Sequence, residues 1–180
     1  MTELEKARSS QTPARELSRL AQSRDYAVLQ AVARNANTLE EALRLLAPTF
    51  QHEVGNNPVL SLLLLVHGGE FSALPVEIVG AMAQQERWAG QLLEWALSRK
   101  PELPIALALI GSPHVSVEQR RALFCRDLAL GRSYAQAMGY DESCALLGAE
   151  FVHRLERAGF GPWAWMRAPA PLPSDDDLRV

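Results

Sequence analysis

Lysine is nearly absent from this chain. Sixteen of its eighteen basic residues are arginine, and Lys6 and Lys100 are the two exceptions. Arginine serves bidentate recognition better than lysine does, although a coding bias in a GC-rich genome leaves the same imbalance without any function. Cysteine is as scarce: Cys125 and Cys144 are too few for a disulfide scaffold or a cysteine-based metal cluster. Cys125 falls in an apolar stripe beside Phe124 and near Leu128, Cys144 falls in a comparable place, and both read as small buried hydrophobes. Long apolar runs are missing too. The longest, from Val59 to Val66, is interrupted by Ser61, whereas a membrane span needs about 20 apolar residues. That run reads as a buried core segment. The opening Met-Thr-Glu-Leu-Glu-Lys contains no apolar signal region, so the expected location is the cytoplasm, where both thiols stay reduced.

Other absences narrow the chemistry. The net charge is −3, so the chain lacks the strongly basic face of a general polyanion binder. It contains no P-loop and no Gly-x-Gly-x-x-Gly turn, and the His67-Gly68-Gly69 triplet has no Gly-x-Ser-x-Gly elbow to accompany it. His67 and Glu70 have a ligand-like separation, but two ligands do not make a zinc site. The pair reads as a loop histidine beside a solvated glutamate. No catalytic residue, metal ligand or cofactor follows from the sequence.

What is present is helical periodicity. At 180 residues, 48% hydrophobic and 22% charged, the chain has one domain's length and an ordinary globular composition. Over 12–22, Leu17, Leu20 and Ala21 share a stripe. Asp25 is placed to cap a helix carrying Val28, Leu29, Val32 and Ala33, and Asn35-Ala36-Asn37 ends it, asparagine tolerating the left-handed conformation. Thr38 and Glu41 have capping-box spacing before a helix whose buried side is Leu39, Ala42, Leu43, Leu45 and Leu46. Pro75 suits the first turn of a helix bearing Ile78, Val79, Met82 and Ala83. Trp88 and Trp95 lie on one face of the next helix, as a core stripe or, more sharply, a ligand-stacking groove. Pro101 and Pro104 restart a short helix over 105–110. Ser116 and Gln119 repeat the capping box, and a last helix is expected over 141–158. Alternating strand patterns are absent. The fold class is all-α.

The segment TPARELSRLA at 12–21 aligns with TLEEALRLLA at 38–47, and VARNAN at 32–37 aligns with VGNNPV at 54–59. A weaker echo, GSPHVSVE at 111–118, again puts a proline turn before a capped helix. Helix–turn–helix units of this kind bury their apolar faces only by stacking. Leu43 and Leu46 match Leu17 and Leu20, so all four should face a shared core. The stretch TPARELSRLAQSRDYAVLQAVARNANTLEEALRLLA resembles the bacterial leucine-rich repeat variant family, a relative of HEAT-type α-solenoids, over residues 12–60 and faintly over 108–124. That resemblance implies a right-handed stack of short helices used as an interaction surface. It also implies, for some members, an iron–sulfur centre on N-terminal cysteines. No cysteine precedes Cys125, so that cofactor is not carried over. The expected organisation is one helical-repeat domain over 1–160, with repeats clearest at 12–60, diverged helical pairs at 61–130 and a C-terminal helix at 131–160. Residues 161–180 follow as an extended tail.

In that tail Trp163, Trp165 and Met166 are large apolar groups that either fold back over one end of the helices or anchor a partner. Arg15, Arg19, Arg34 and Arg44 are a candidate row along the first repeats, with Arg120, Arg121 and Arg126 as a second group. Glu16, Glu40, Glu41, Glu118 and Asp127 interleave with them, as on ordinary solvated helix faces. The leading functional reading is therefore a non-catalytic adaptor or scaffold that binds another protein. An enzyme or enzyme subunit with a pocket between helices is the alternative, and a nucleic-acid-binding helical repeat, which the net charge disfavours, is the third.

Overall fold

A computed structural model describes residues 1–99, 101–126, 128–138 and 140–148. It is all-helical, with 70% of the described residues in helices and no strand among them. The order is α1 (Glu3–Arg8), α2 (Ala14–Leu20), α3 (Tyr26–Arg34), α4 (Glu40–Leu46), α5 (Gln51–Gly55), α6 (Val59–Val66), a 3₁₀ turn (Phe71–Ala73), α7 (Val76–Ala83), α8 (Glu86–Ser98) and α9 (Leu103–Ile110). Then come α10 (Val117–Arg126), α11 (Leu128–Met138) and α12 (Tyr140–Leu147). The chain divides into two compact units, one ending at Val115 and one starting at Ser116. Among the described residues no helix is long and apolar enough to cross a membrane.

In the first unit the odd-numbered helices pack on one another in succession: α1 on α3, α3 on α5, α5 on α7, α7 on α9. The even-numbered helices α2 and α4 meet beside them. Leu17, Leu20, Leu43 and Leu46 are all buried, as their matched positions require, together with Val28, Val32, Val54, Ile78, Met82 and Leu92. The α5–α7 approach is tight at Gly55. A Cβ on Gly55 would run into the carbonyl of Ala81, so only glycine fits there.

Between these helices runs a repeated set of side-chain bonds to backbone carbonyls. Asn35 Nδ2 donates to the carbonyls of Ala7 and Ser9, at 2.8 and 2.9 Å. Asn57 Nδ2 donates to those of Ala33 and Asn35, at 2.8 and 3.0 Å. These acceptors are the same two positions of successive units, at the ends of α1 and α3. One unit further on the asparagine is replaced. Trp88 Nε1 donates to the Gly55 carbonyl at 2.9 Å, and the Arg87 guanidinium lies 3.4 Å from that of Asn57. The last carbonyls of a helix have no partner within it, and these donors supply one to Ala7, Ala33 and Gly55, while the carbonyls of Ser9, Asn35 and Asn57 also accept from the amides of Thr12, Thr38 and Leu60. Thr12 and Thr38 match in the same way: each hydroxyl donates to the carbonyl six residues earlier, in Lys6 and Val32 respectively.

Several local expectations are corrected here. Thr38 does not cap α4, because its hydroxyl is committed to Val32; Leu39 occupies the N-cap position without a side-chain bond. Asn35 ends α3 at φ −76 rather than in the left-handed region, and its side chain does the work. Leu39 and Leu45, expected on the buried side of α4, are exposed. Asp25 does cap α3 through the Ala27 amide, and Ser116 and Gln119 form the reciprocal box at the start of α10.

In the second unit α10, α11 and α12 pack on one another, with Phe124 against Tyr134 at 4.6 Å and Leu123, Ala135 and Leu147 buried. Arg121 Nε donates to the Leu146 carbonyl at 3.0 Å. The helix expected over 141–158 ends at Leu147, where Gly148 takes φ 83. The remainder of that expected helix and the whole 161–180 tail lie outside the described residues.

Two variants test this account. Asn57→Ala leaves the buried Ala33 carbonyl without its donor, while that of Asn35 keeps the Thr38 amide, and should cost about 1–3 kcal/mol in urea unfolding, whereas an exposed alanine change stays within about 0.5 kcal/mol. Gly55→Ala should cost about 1–3 kcal/mol by overpacking, even though alanine favours helices. A neutral or stabilising result would show that the α5–α7 approach is looser than described.

Candidate functional site

The feature that departs most from a buried core is α6. Its sequence is VLSLLLLV, with no charged residue. Asn57 starts it, Oδ1 accepting from the Val59 amide at 2.9 Å. Gly68 and Gly69 stop it, at φ 64 and 81. The Gly69 amide bonds the Leu64 carbonyl at 2.8 Å and the Gly68 amide bonds that of Leu65 at 3.0 Å. This paired closure is a Schellman ending, which requires the left-handed conformation glycine adopts freely.

α6 was expected to be a buried core segment, and it is not. Only Leu60 is fully buried. Leu62, Leu65 and Val66 remain 57%, 74% and 72% exposed and, with Ser61, form one continuous helix face. The physical reason is that α6 has one neighbour-facing side and only Ser61 as a polar residue with which to dress the other. A run of eight nearly uniform apolar residues carries no periodic contrast, so its sequence cannot say which side is covered.

Beside this face lies an open groove of about 510 Å³, lined by Ser61, Leu64, Leu65, the Gly68-Gly69 turn, Trp88 and Gln91. The two glycines leave the rim low, since a Cβ on either would meet nothing within 4 Å. Trp88 is held from two sides, by its bond to Gly55 and by the Arg87 guanidinium 4.6 Å from the ring centre. The turn is fastened as well. Glu70 accepts from Trp95 Nε1 at 3.0 Å and from Arg99 at 2.9 Å, and His67 Nε2 lies 3.4 Å from Glu40 Oε2. His67 and Glu70 therefore serve separate partners. Trp95 also meets Phe71 edge-on at 5.7 Å, so both tryptophans of α8 pack and tether. Among the described residues no three His, Cys, Asp or Glu side chains stand close enough to hold a metal ion.

The arginines singled out from the sequence divide by environment. Arg19, on α2, pairs with Glu16 and Glu3, and Arg34, at the end of α3, pairs with Glu53 at 3.0 Å. Arg15 is exposed on α2 and Arg44 on α4. Arg34 also edges a polar notch of about 240 Å³ between α1 and α3, together with Arg8 and Gln30. Trp163, Trp165 and Met166 lie outside the described residues. Sequence reasoning missed the exposed face of α6. The usable signal was the absence of a polar stripe combined with a double-glycine stop: a helix closed after two turns, flanked by polar turns, is too short to be wrapped on all sides.

Burial pushes the Glu53 carboxyl upward, but hydrogen bonds from Gln30, its own backbone amide and Arg34 outweigh that and hold it below the usual carboxylate range. A carboxyl depressed in the folded state stabilises above its unfolded pKa, and that contribution is lost as pH falls through the folded value. Glu53→Gln should therefore lower stability at pH 7 while flattening the acid limb below about pH 4. Parallel curves for the two proteins across that range would remove the role given to Glu53.

No protein-family model matches the chain, and no curated protein or solved structure matches it either.

Proposed function

We propose that the chain is a non-catalytic protein-interaction module, an adaptor or scaffold of the cytoplasm, and that the exposed face of α6 with its groove is the docking surface. The observation that carries this reading is the contiguous exposure of Leu62, Leu65 and Val66 on one helix of the unit. A contiguous apolar patch with polar surroundings is the usual mark of an interaction site. The frame behind it is a right-handed stack of helical repeats, similar to the leucine-rich repeat variant family. Successive contacts among the odd-numbered helices support that frame. So does the transfer of one hydrogen-bonding role from Asn35 to Asn57 and then to Trp88. The ion pairs of Arg19 and Arg34 favour a protein partner over nucleic acid, because those guanidiniums are already neutralised. Trp163, Trp165 and Met166 are proposed as a further contact for the same partner.

Replacing Leu62 and Leu65 together by glutamine should leave the circular dichroism spectrum intact and change stability by no more than about 0.5 kcal/mol, since both side chains are exposed. The double variant should lose the proteins that the native chain captures by crosslinking in cells. Identical captures by the two proteins would remove the docking role from α6.

A further inference from the structure

We infer that the α6 groove takes an amphipathic helix of a partner protein whose polar flanks are basic. The inference rests on the docking role just proposed and adds the chemistry of the occupant. Two observations carry it.

The first is size. α6 has eight residues and so a length of about 12 Å. A stable interface between globular partners buries about 800 Å² on each side from twenty or more residues, which one short helix face does not offer. What the face does offer is an apolar wall (Leu62, Leu65, Val66) beside an open channel floored by Trp88, with a rim kept low by Gly68 and Gly69. That shape suits about two turns of a partner helix presenting large apolar side chains at i, i+3 and i+4.

The second is charge. From residue 40 to residue 99 the chain carries seven glutamates against three arginines, Arg44, Arg87 and Arg99. Around the groove the imbalance is local. Glu40 stands at His67 on one side, and Glu70 is neutralised by its pair with Arg99. On α8, Glu94 follows Gln91 by one turn and has no partner among the described residues. With Arg99 committed to Glu70, Arg87 is the other cation on α8, and its guanidinium is folded over the Trp88 ring toward the Asn57 carbonyl. A helix flanked by lysine or arginine meets Glu94, which has no partner among the described residues, and Glu40, whose neighbour is His67 rather than an arginine, and one flanked by glutamate meets like charge.

The test uses the full chain and three synthetic peptides of about 18 residues, long enough to form a helix when bound. One is an amphipathic leucine–lysine helix. The second is its leucine–glutamate counterpart with the same apolar pattern. The third has the leucine–lysine composition shuffled to destroy that pattern. Affinities are read by fluorescence anisotropy and the contact site by amide chemical-shift changes.

The leucine–lysine peptide should bind at least about tenfold more tightly than either other peptide, with shifts centred on Leu62, Leu65, Val66, Gly68 and Gln91. Leu65→Gln should weaken it about tenfold, and Glu94→Gln should weaken the lysine peptide alone. The advantage of lysine over glutamate should shrink as salt rises. Equal affinity for lysine and glutamate peptides, both lost in Leu65→Gln, would overturn the basic partner while leaving the docking face in place. Peptide binding undiminished in Leu65→Gln, or no binding at all, would remove the docking face as well. A concentration-dependent dimer that Leu65→Gln dissolves would overturn the inference in favour of a second copy of this chain.

Discussion

The first unit depends on one kind of bond: a buried side-chain amide reaching back to close the carbonyls at the end of an earlier helix. Short helices make this necessary. A helix of five to nine residues, such as α1, α3 or α5, leaves as many carbonyls open at its end as a long one does. Where neighbouring helices bury those ends, water is not on hand to satisfy them, and each open carbonyl is costly. Asn35 and Asn57 donate to two carbonyls apiece, closing those of Ala7 and Ala33, and each also accepts from the amide two residues further on. One residue type thus ends a helix, starts the next turn and locks the two units together. Packing of Leu17, Leu20, Leu43 and Leu46 supplies the apolar burial, and the asparagines fix the register in which that burial occurs.

Trp88 shows how the arrangement changes along the chain. It performs the asparagine's role toward Gly55 with an indole, which has a single donor, and the Arg87 guanidinium stands at the second carbonyl. An indole is far larger than an amide. Its ring also lines the channel beside α6, where Leu65 stays uncovered. The residue that takes over the asparagine's role thus also lines the candidate docking surface.

The all-helical class and the matched leucines were legible from spacing, because apolar contrast at helical period survives in 12–21 and 38–47. The equivalence of Asn35 and Asn57 was legible too, but the mechanism attached to it was not. Asparagine's backbone tolerance and its side-chain reach predict the same position in the sequence, and only geometry separates them. Thr38 misled for a similar reason: a hydroxyl at capping spacing has a rival acceptor in Val32, six residues back. α6 was illegible outright, since a uniformly apolar run has no face. The end of α12 at Leu147 came from Gly148, which the surrounding periodicity hid.

The direction of the carbonyl-closing bonds has a temporal meaning. Asn35, Asn57 and Trp88 all donate to residues that precede them, by 22 to 33 positions. A chain leaving the ribosome therefore exposes each open helix end before the group that closes it has been made. Every unit waits for its successor, for about the time needed to add one more helical pair. Gln84 reverses this order, donating forward to the Gly111 carbonyl at 3.1 Å. Synthesis that halts between Gly55 and Trp88 leaves the Gly55 carbonyl unclosed, a state in which a nascent chain is open to chaperones and proteases, whereas at Gly111 the closing donor has been made in advance.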